Sequence, residues 1–288
     1  MNEVYISGIQ FNTREIAVFV WLAIFFVWAI QKKEIRNSLQ DLVKTFSKWK
    51  ILTPIVAAIF YSMLIVFFLH KLDIWGTFLI RDTVYWFLGT AFVLLLNSNE
   101  ATRGAGFFRK ILRDNLKVII VIEFIVNLYT LNFFIELFLV PALFFVVAMN
   151  ALAQTKAEYA KVKKVLDYLL SGVGVFFILF AFINIVGNYQ GFISSENLKT
   201  LVMPPILTTA FIPFLYFFAL LMAYEMFYLR LGFFIKNNPT LLRFAKIKFF
   251  QLCHFNLSKL NRFAKESSQD LMKLSSEADV LQIVERFK

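Results

Sequence analysis

"VIIVIEFIVNLYTLNFFIELFLVPALFFVVAMNALA", residues Val118 to Ala153, contains Glu123 and Glu136 but no Lys or Arg. One helix of this length would overshoot a hydrocarbon core of about 30 Å, which needs only roughly 20 residues at 1.5 Å each. Basic segments flank the run, Arg103 to Lys117 before it and Lys156 to Lys164 after it. Such segments collect on the cytoplasmic side of a membrane protein, so both ends of the run belong on one side. Two short passes turning near "YTLN", Tyr129 to Asn132, satisfy both constraints.

The composition agrees with a chain that lives in lipid. Of 288 residues 59% are hydrophobic, 37 are Phe, and only 17% are charged; the mean hydropathy is +0.68. A soluble domain runs near 45–50% apolar and about 25% charged. Further apolar runs cover Glu15 to Ile30, Ile51 to Leu69, Ile74 to Leu96, Val165 to Val186 and Leu201 to Leu229. The first lacks the basic start and small-residue cleavage pattern of a signal peptide and reads as a retained helix. The fold class is therefore an all-α polytopic membrane protein with about seven transmembrane helices. Residues 1–235 form the transmembrane domain and 236–288 a C-terminal cytoplasmic amphipathic helical tail.

The formal charge of +11 follows this topology. All but four of the 30 Lys and Arg residues lie in Lys32 to Lys50, Arg103 to Lys117, Lys156 to Lys164, or from Arg230 onward, the exceptions being Arg14, Lys71, Arg81 and Lys199. Seven crossings put the N-terminus outside, the C-terminus in the cytoplasm, and every basic loop inside. The basic charge then contacts anionic lipid on the cytoplasmic side, and no specific nucleic acid is expected as a partner. In "QKKEIRNSLQDLVKTFSKWK", Gln31 to Lys50, the residues Ile35, Leu39, Leu42, Val43, Phe46 and Trp49 recur at helical spacing. This segment lies along the inner membrane surface or serves as a short connecting helix. In the tail, Leu242, Ala245, Phe249, Leu252, Phe255, Leu260 and Phe263, then Leu271, Leu274, Leu281 and Val284, recur at helical intervals. They imply two or more amphipathic helices packed on the inner face or on a neighbouring subunit.

Charged and amide side chains within the apolar runs are the candidate ion-path or interhelical polar residues: Arg81, Asp82, Glu123, Asn127, Glu136 and Glu225. Charge in mid-membrane costs several kcal/mol, so these groups face the protein interior, a water-filled cavity, or each other. Arg81, Asp82 and Glu136 fall in the outer half, and Glu123 and Glu225 in the inner half. Adjacent helical residues point about 100° apart, so Arg81 need not pair with Asp82; it can reach Glu136, or snorkel outward along its own stem. Glu123 and Asn127 are one turn apart and share a face. An interhelical pair that fixes packing and a polar lining of a solute path are both open for this set.

Other chemistry has little to draw on. A single cysteine, Cys253, excludes a disulfide framework, and the two histidines, His70 and His254, offer few metal ligands. HExxH and GxSxG are absent, and Gly104 and Gly106 lack the order of a phosphate loop. No enzyme activity, cofactor or metal is expected. A chain of this size suits an oligomeric channel subunit in which several copies line one pore with rings of Asp, Glu or Asn, regulated through its cytoplasmic face by a protein or small ligand. An ion- or proton-coupled small-solute transporter and a nonconducting membrane partner or assembly protein are the alternatives. Compact loops point to a bacterial inner membrane.

Overall fold

The computed structural model describes residues 3–6, 9–102, 105–114, 118–235 and 238–287. Strands β1 (Glu3–Ile6) and β2 (Ile9–Asn12) pair antiparallel, Glu3 opposite Asn12 and Ile6 opposite Ile9. Helices follow: α1 (Thr13–Gln31), α2 (Lys33–Phe46), α3 (Trp49–Lys71), α4 (Thr77–Leu96), α5 (Ala105–Asp114), α6 (Val118–Leu128), α7 (Phe133–Ala153), α8 (Ala157–Gly187), α9 (Ser195–Phe234), α10 (Pro239–Cys253), α11 (Leu257–Glu266) and α12 (Glu277–Phe287). The structure is 88% helical.

Six helices, α1, α3, α4, α7, α8 and α9, are long and apolar enough to cross a membrane. The sequence leads to about seven, and the difference lies in the 118–153 run. There α7 has crossing length, whereas α6 has 11 residues, about 16 Å at the standard rise. The helix stops at Leu128 because the next turn is claimed by α7, whose N-cap Asn132 accepts a hydrogen bond from the Phe134 amide at 3.0 Å. Glu123 lies on α6 with its side chain outside the described residues, and Gly104 is outside them as well. Exposed Phe19, Leu22, Phe25 and Phe26 on α1, and Phe60, Phe67 and Phe68 on α3, give these helices surfaces suited to lipid.

The chain divides into two compact units: residues 1–52, 69–84 and 117–204, and residues 53–68, 85–116 and 205–288. In the first, α7 packs with α1 and α8. Ala17 and Ala181 are fully buried there, and small residues let helix backbones approach closely. The Trp21 indole N–H donates to the Leu137 carbonyl at 2.7 Å. Where α7 ends, the Asn150 amide donates to Asp167 at 2.8 Å and Lys163 meets the other Asp167 oxygen at 2.7 Å.

The second unit is organised on α9. This helix has 40 residues, about 60 Å, twice what a bilayer crossing needs. It runs unbroken through Pro204, Pro205 and Pro213. Leu207, Phe211, Leu215, Ala219, Ala223, Phe227 and Leu231, every fourth residue, are buried. The last turns of α9 share a core with α10, α11 and α12, through Phe249, Leu252, Leu260, Phe263, Val280 and Val284. This unit contains a π-helical segment in α4, Phe87–Ala91. Just before it, the Trp86 indole donates to the Thr208 hydroxyl at 2.8 Å and packs edge-on against Phe211.

Short polar caps delimit the tail helices. Asn238 and Asn256 accept the amides of Leu241 and Lys259 at 3.0 and 2.9 Å. At α12 a Ser-x-x-Asp box forms: Asp279 accepts the amide and hydroxyl of Ser275 and the amide of Ser276, while the Ser276 hydroxyl accepts the Asp279 amide. Hydrogen bonds from Ser275, and then from Ser276, hold the Asp279 carboxyl at about 2. A carboxyl depressed below its unfolded value of about 3.9 stabilises the fold above that pH and loses the effect as pH falls toward 2. Acidification from pH 4 to pH 2 is therefore expected to lower the protection of amides in the first turn of α12, measured against their intrinsic exchange rates, and Asp279→Asn to abolish that acid step; an unchanged pH profile in the variant would refute the cap's role.

Candidate functional site

The polar residues of the first unit converge where four helices begin. At α1 the pattern Asn-Thr-Arg-Glu closes a capping box: the Asn12 side chain accepts from the Glu15 amide at 2.8 Å, and Glu15 accepts from the Asn12 amide at 2.8 Å. This box fixes the direction of the two residues between. Thr13, buried, places its hydroxyl 2.8 Å from the Thr130 hydroxyl and donates to the Leu131 carbonyl at 2.7 Å. Arg14 reaches α7.

Arg14 Nε and Nη2 donate to the two oxygens of Glu136 at 3.1 and 3.0 Å, a bidentate pair. Glu136 is 1% exposed and Arg14 20%. The Leu131 amide supplies Glu136 with a third hydrogen bond at 3.0 Å, and its place in the first turn of α7 puts the carboxylate at the positive end of the helix dipole. The remaining Arg14 nitrogen donates to the Val126 carbonyl and Asn127 Oδ1, both at 3.4 Å, and the guanidinium lies 4.6 Å from the Phe177 ring centroid.

A second chain of charges runs beside the first. Arg81 Nε and Nη2 approach one oxygen of Asp82 at 3.1 and 3.0 Å, and Nη1 lies 3.5 Å from Glu15. Asp82 also takes a hydrogen bond from the Thr200 side chain. Glu15 thus links the α1 cap to α4, and Asp82 links α4 to α9. Nearby, Lys199 donates to the Asp73 carbonyl at 2.9 Å and Trp75 to Thr83 at 2.9 Å.

Four of the sequence-predicted residues, Arg81, Asp82, Asn127 and Glu136, belong to this cluster. Their pairing differs from the alternatives open in the sequence: Arg81 holds its own neighbour Asp82, and Glu136 is taken by Arg14. Glu225 belongs to the second unit, exposed on α9. Sequence reasoning missed Arg14, Glu15, Thr13 and Thr200. The signal for two of them was present, since Asn12 followed three residues later by Glu15 is a helix-start signature.

Chemically the arrangement is a clamp. Each carboxylate of the cluster accepts hydrogen bonds from an arginine or from backbone. Among the described residues no group of three or more His, Cys, Asp or Glu is gathered to hold a metal. Comparison with protein-family models, curated proteins and solved structures found no match to this chain.

The second unit has an apolar groove of about 690 Å³ between α9 and α10, lined by Phe217, Leu221, Tyr224, Tyr228 and Phe250, with Glu225 and Lys246. Three tyrosines of α9 fasten the turn after α10 and α10 itself. Tyr216 donates to the Phe255 carbonyl and Tyr224 to the His254 carbonyl, each at 2.7 Å, and Tyr228 to the Lys246 carbonyl at 3.3 Å. His254 has φ 47°, a left-handed conformation costing a non-glycine residue about 1–3 kcal/mol. The Tyr224 bond holds that strained carbonyl in place.

Proposed function

We propose that this chain is a nonconducting membrane partner or assembly protein, a multi-pass anchor that presents a helical cytoplasmic bundle to another component. The observation that carries this reading is the pairing of the outer charges within one chain. Glu15, Asp82 and Glu136 all meet arginines at 3.0–3.5 Å. A conducting path built on acidic rings needs carboxylates facing an opening, and these face arginines.

Several features support the topology that the reading requires, with the N-terminus outside and the C-terminus in the cytoplasm of a bacterial inner membrane. The first two turns of α1, α4, α7 and α9 contribute to one cluster, so each helix leaves it in the same sense. A chain of seven traverses, with α6 as a short one, accords with that common sense. Among the described residues of α2 none is buried, and Leu42, Val43 and Phe46 are exposed beside Lys44 and Lys48. Such a helix fits the headgroup boundary of an anionic inner leaflet.

A channel subunit remains the second reading. It is favoured by the π-helical segment Phe87–Ala91 in α4, since such segments recur at functional sites in helices. Ion flux into liposomes carrying the purified chain separates the two. The partner reading expects no flux above protein-free vesicles in the unmodified chain or in Asp82→Asn. Flux that changes in selectivity with Asp82→Asn would overturn it and restore the carboxylate path.

A further inference from the structure

We propose that the groove between α9 and α10 binds one phospholipid of the inner leaflet, with its acyl chain against the aromatic wall and an ammonium-bearing headgroup between Lys246 and Glu225. The first reason is position. The apolar part of α9 begins at Leu201, and roughly 20 residues of helix complete a bilayer crossing. The inner boundary therefore falls near Leu221, in the middle of the groove's lining on α9. Phe217 and Leu221 sit on the membrane side of that boundary, while Tyr228 and Lys246 sit on the aqueous side.

The second reason is surface chemistry. Phe217, Leu221 and Phe255 are exposed at the groove. The polar atoms that could have made it a site for a polar ligand are already engaged, since the Tyr224 and Tyr228 hydroxyls donate to backbone carbonyls. What remains is an apolar trough within the size range of small-molecule sites. It is open rather than enclosed, as entry from a bilayer requires.

The third reason is charge. Glu225 and Lys246 both line the groove, yet among the described residues neither makes an ion pair. The Lys246 ammonium lies 5.3 Å from the Tyr228 ring centroid. A cation and an anion held apart beside an apolar trough complement a headgroup that carries a phosphate and a primary ammonium together. A purely anionic headgroup would satisfy Lys246 and be repelled by Glu225. The proposal goes beyond the partner reading and is read out without any flux, so the two fail separately.

The test is native mass spectrometry of the full chain released from detergent after incubation with equal amounts of phosphatidylethanolamine and phosphatidylglycerol. One phosphatidylethanolamine is expected to stay bound in preference by about tenfold. Leu221→Trp, which fills the trough from an exposed position, is expected to lower its retention by about the same factor. Glu225→Gln is expected to remove the preference between the two lipids while the chain keeps its melting temperature. Undiminished phosphatidylethanolamine retention in Leu221→Trp, a wild-type preference for phosphatidylglycerol, or a lipid-free dimer whose second copy fills the groove would each overturn the proposal. A preference that survives Glu225→Gln would overturn the headgroup assignment.

Discussion

Replacing Arg14 by alanine is expected to destabilise the chain by about 3–5 kcal/mol, the range for removing one partner of a buried ion pair. Glu136 is 1% exposed and would keep only the Leu131 amide as a donor. The loss comes mainly from stranding that carboxylate, because an uncompensated buried charge cannot recover its hydration. The converse variant, Glu136→Leu alone, leaves the guanidinium with the weaker contacts to Val126 and Asn127 and is expected to cost less, since Arg14 is 20% exposed. Combining Arg14→Met with Glu136→Leu should return the stability to within about 1–2 kcal/mol of the original, as apolar replacement of a whole buried pair often does. Arg81 makes a useful comparison. It and both its carboxylate partners are 15–22% exposed, so Arg81→Ala is expected to cost about 1.5–3 kcal/mol, in the range of a hydrogen bond to a charged group. Reversible unfolding in mixed micelles measures all four variants, and an Arg14→Ala effect no larger than that of Arg81→Ala would refute the buried-clamp account.

The sequence makes the existence of such a clamp legible and leaves its partners hidden. Arg81 and Asp82 stand out because charge in an apolar run demands a partner. Their burial beside Glu15 and Thr200 requires residues far apart in the chain to meet, which no periodicity encodes. Arg14 and Glu136 are separated by 122 positions. Arg14 stands out in sequence only as a basic residue outside the basic loops, and the capping pattern Asn12 to Glu15 is the local clue that places it in the first turn of α1. In the 118–153 run, hydropathy marks two apolar halves correctly but is blind to the length at which a helix ends. That end is set by the Asn132 cap, a single side chain. The π segment at Phe87–Ala91 has no sequence mark beyond Gly89.

The tail was more legible because amphipathic spacing reports burial directly. Ala245, Phe249, Leu252, Leu260, Phe263, Leu271, Leu274 and Val284 are buried. Phe255 and Leu281 occupy expected core positions yet are exposed, Phe255 at 62%. The helical phase is broken between Cys253 and Leu257, where His254 takes a positive φ and α11 starts in a new direction. Phe255 therefore leaves the core stripe and joins the groove lining. The other surprise is where part of the tail's core comes from: Ala219, Leu220, Ala223, Tyr224, Phe227 and Leu231 belong to α9, whose apolar residues read in sequence as membrane-spanning. Hydropathy alone cannot separate burial in lipid from burial under another helix.

That shared core sets the second large effect. Phe263→Ala is expected to cost about 3–5 kcal/mol, the range for truncating a buried phenylalanine. Phe263 is 0% exposed, and its ring lies 5.0 Å from Phe249, 5.7 Å from Phe227 and 5.0 Å from Phe287. Those three rings come from α10, α9 and α12, so this side chain on α11 is in contact with three other helices of the bundle. Deleting it opens a cavity that no single helix can close by shifting, because moving toward one neighbour leaves another. Phe255→Ala is the matched control: the same chemical change at an exposed position is expected to change stability by no more than about 0.5 kcal/mol. Protease susceptibility of residues 239–287 in the micelle-bound chain distinguishes the two variants. Faster cleavage in Phe263→Ala with Phe255→Ala unchanged is the expected result, because undocking from α9 exposes the linkers between α10, α11 and α12. Equal cleavage in both would mean that the bundle is held to α9 chiefly by the Tyr216, Tyr224 and Tyr228 hydroxyls, whose bonds to backbone carbonyls survive either truncation.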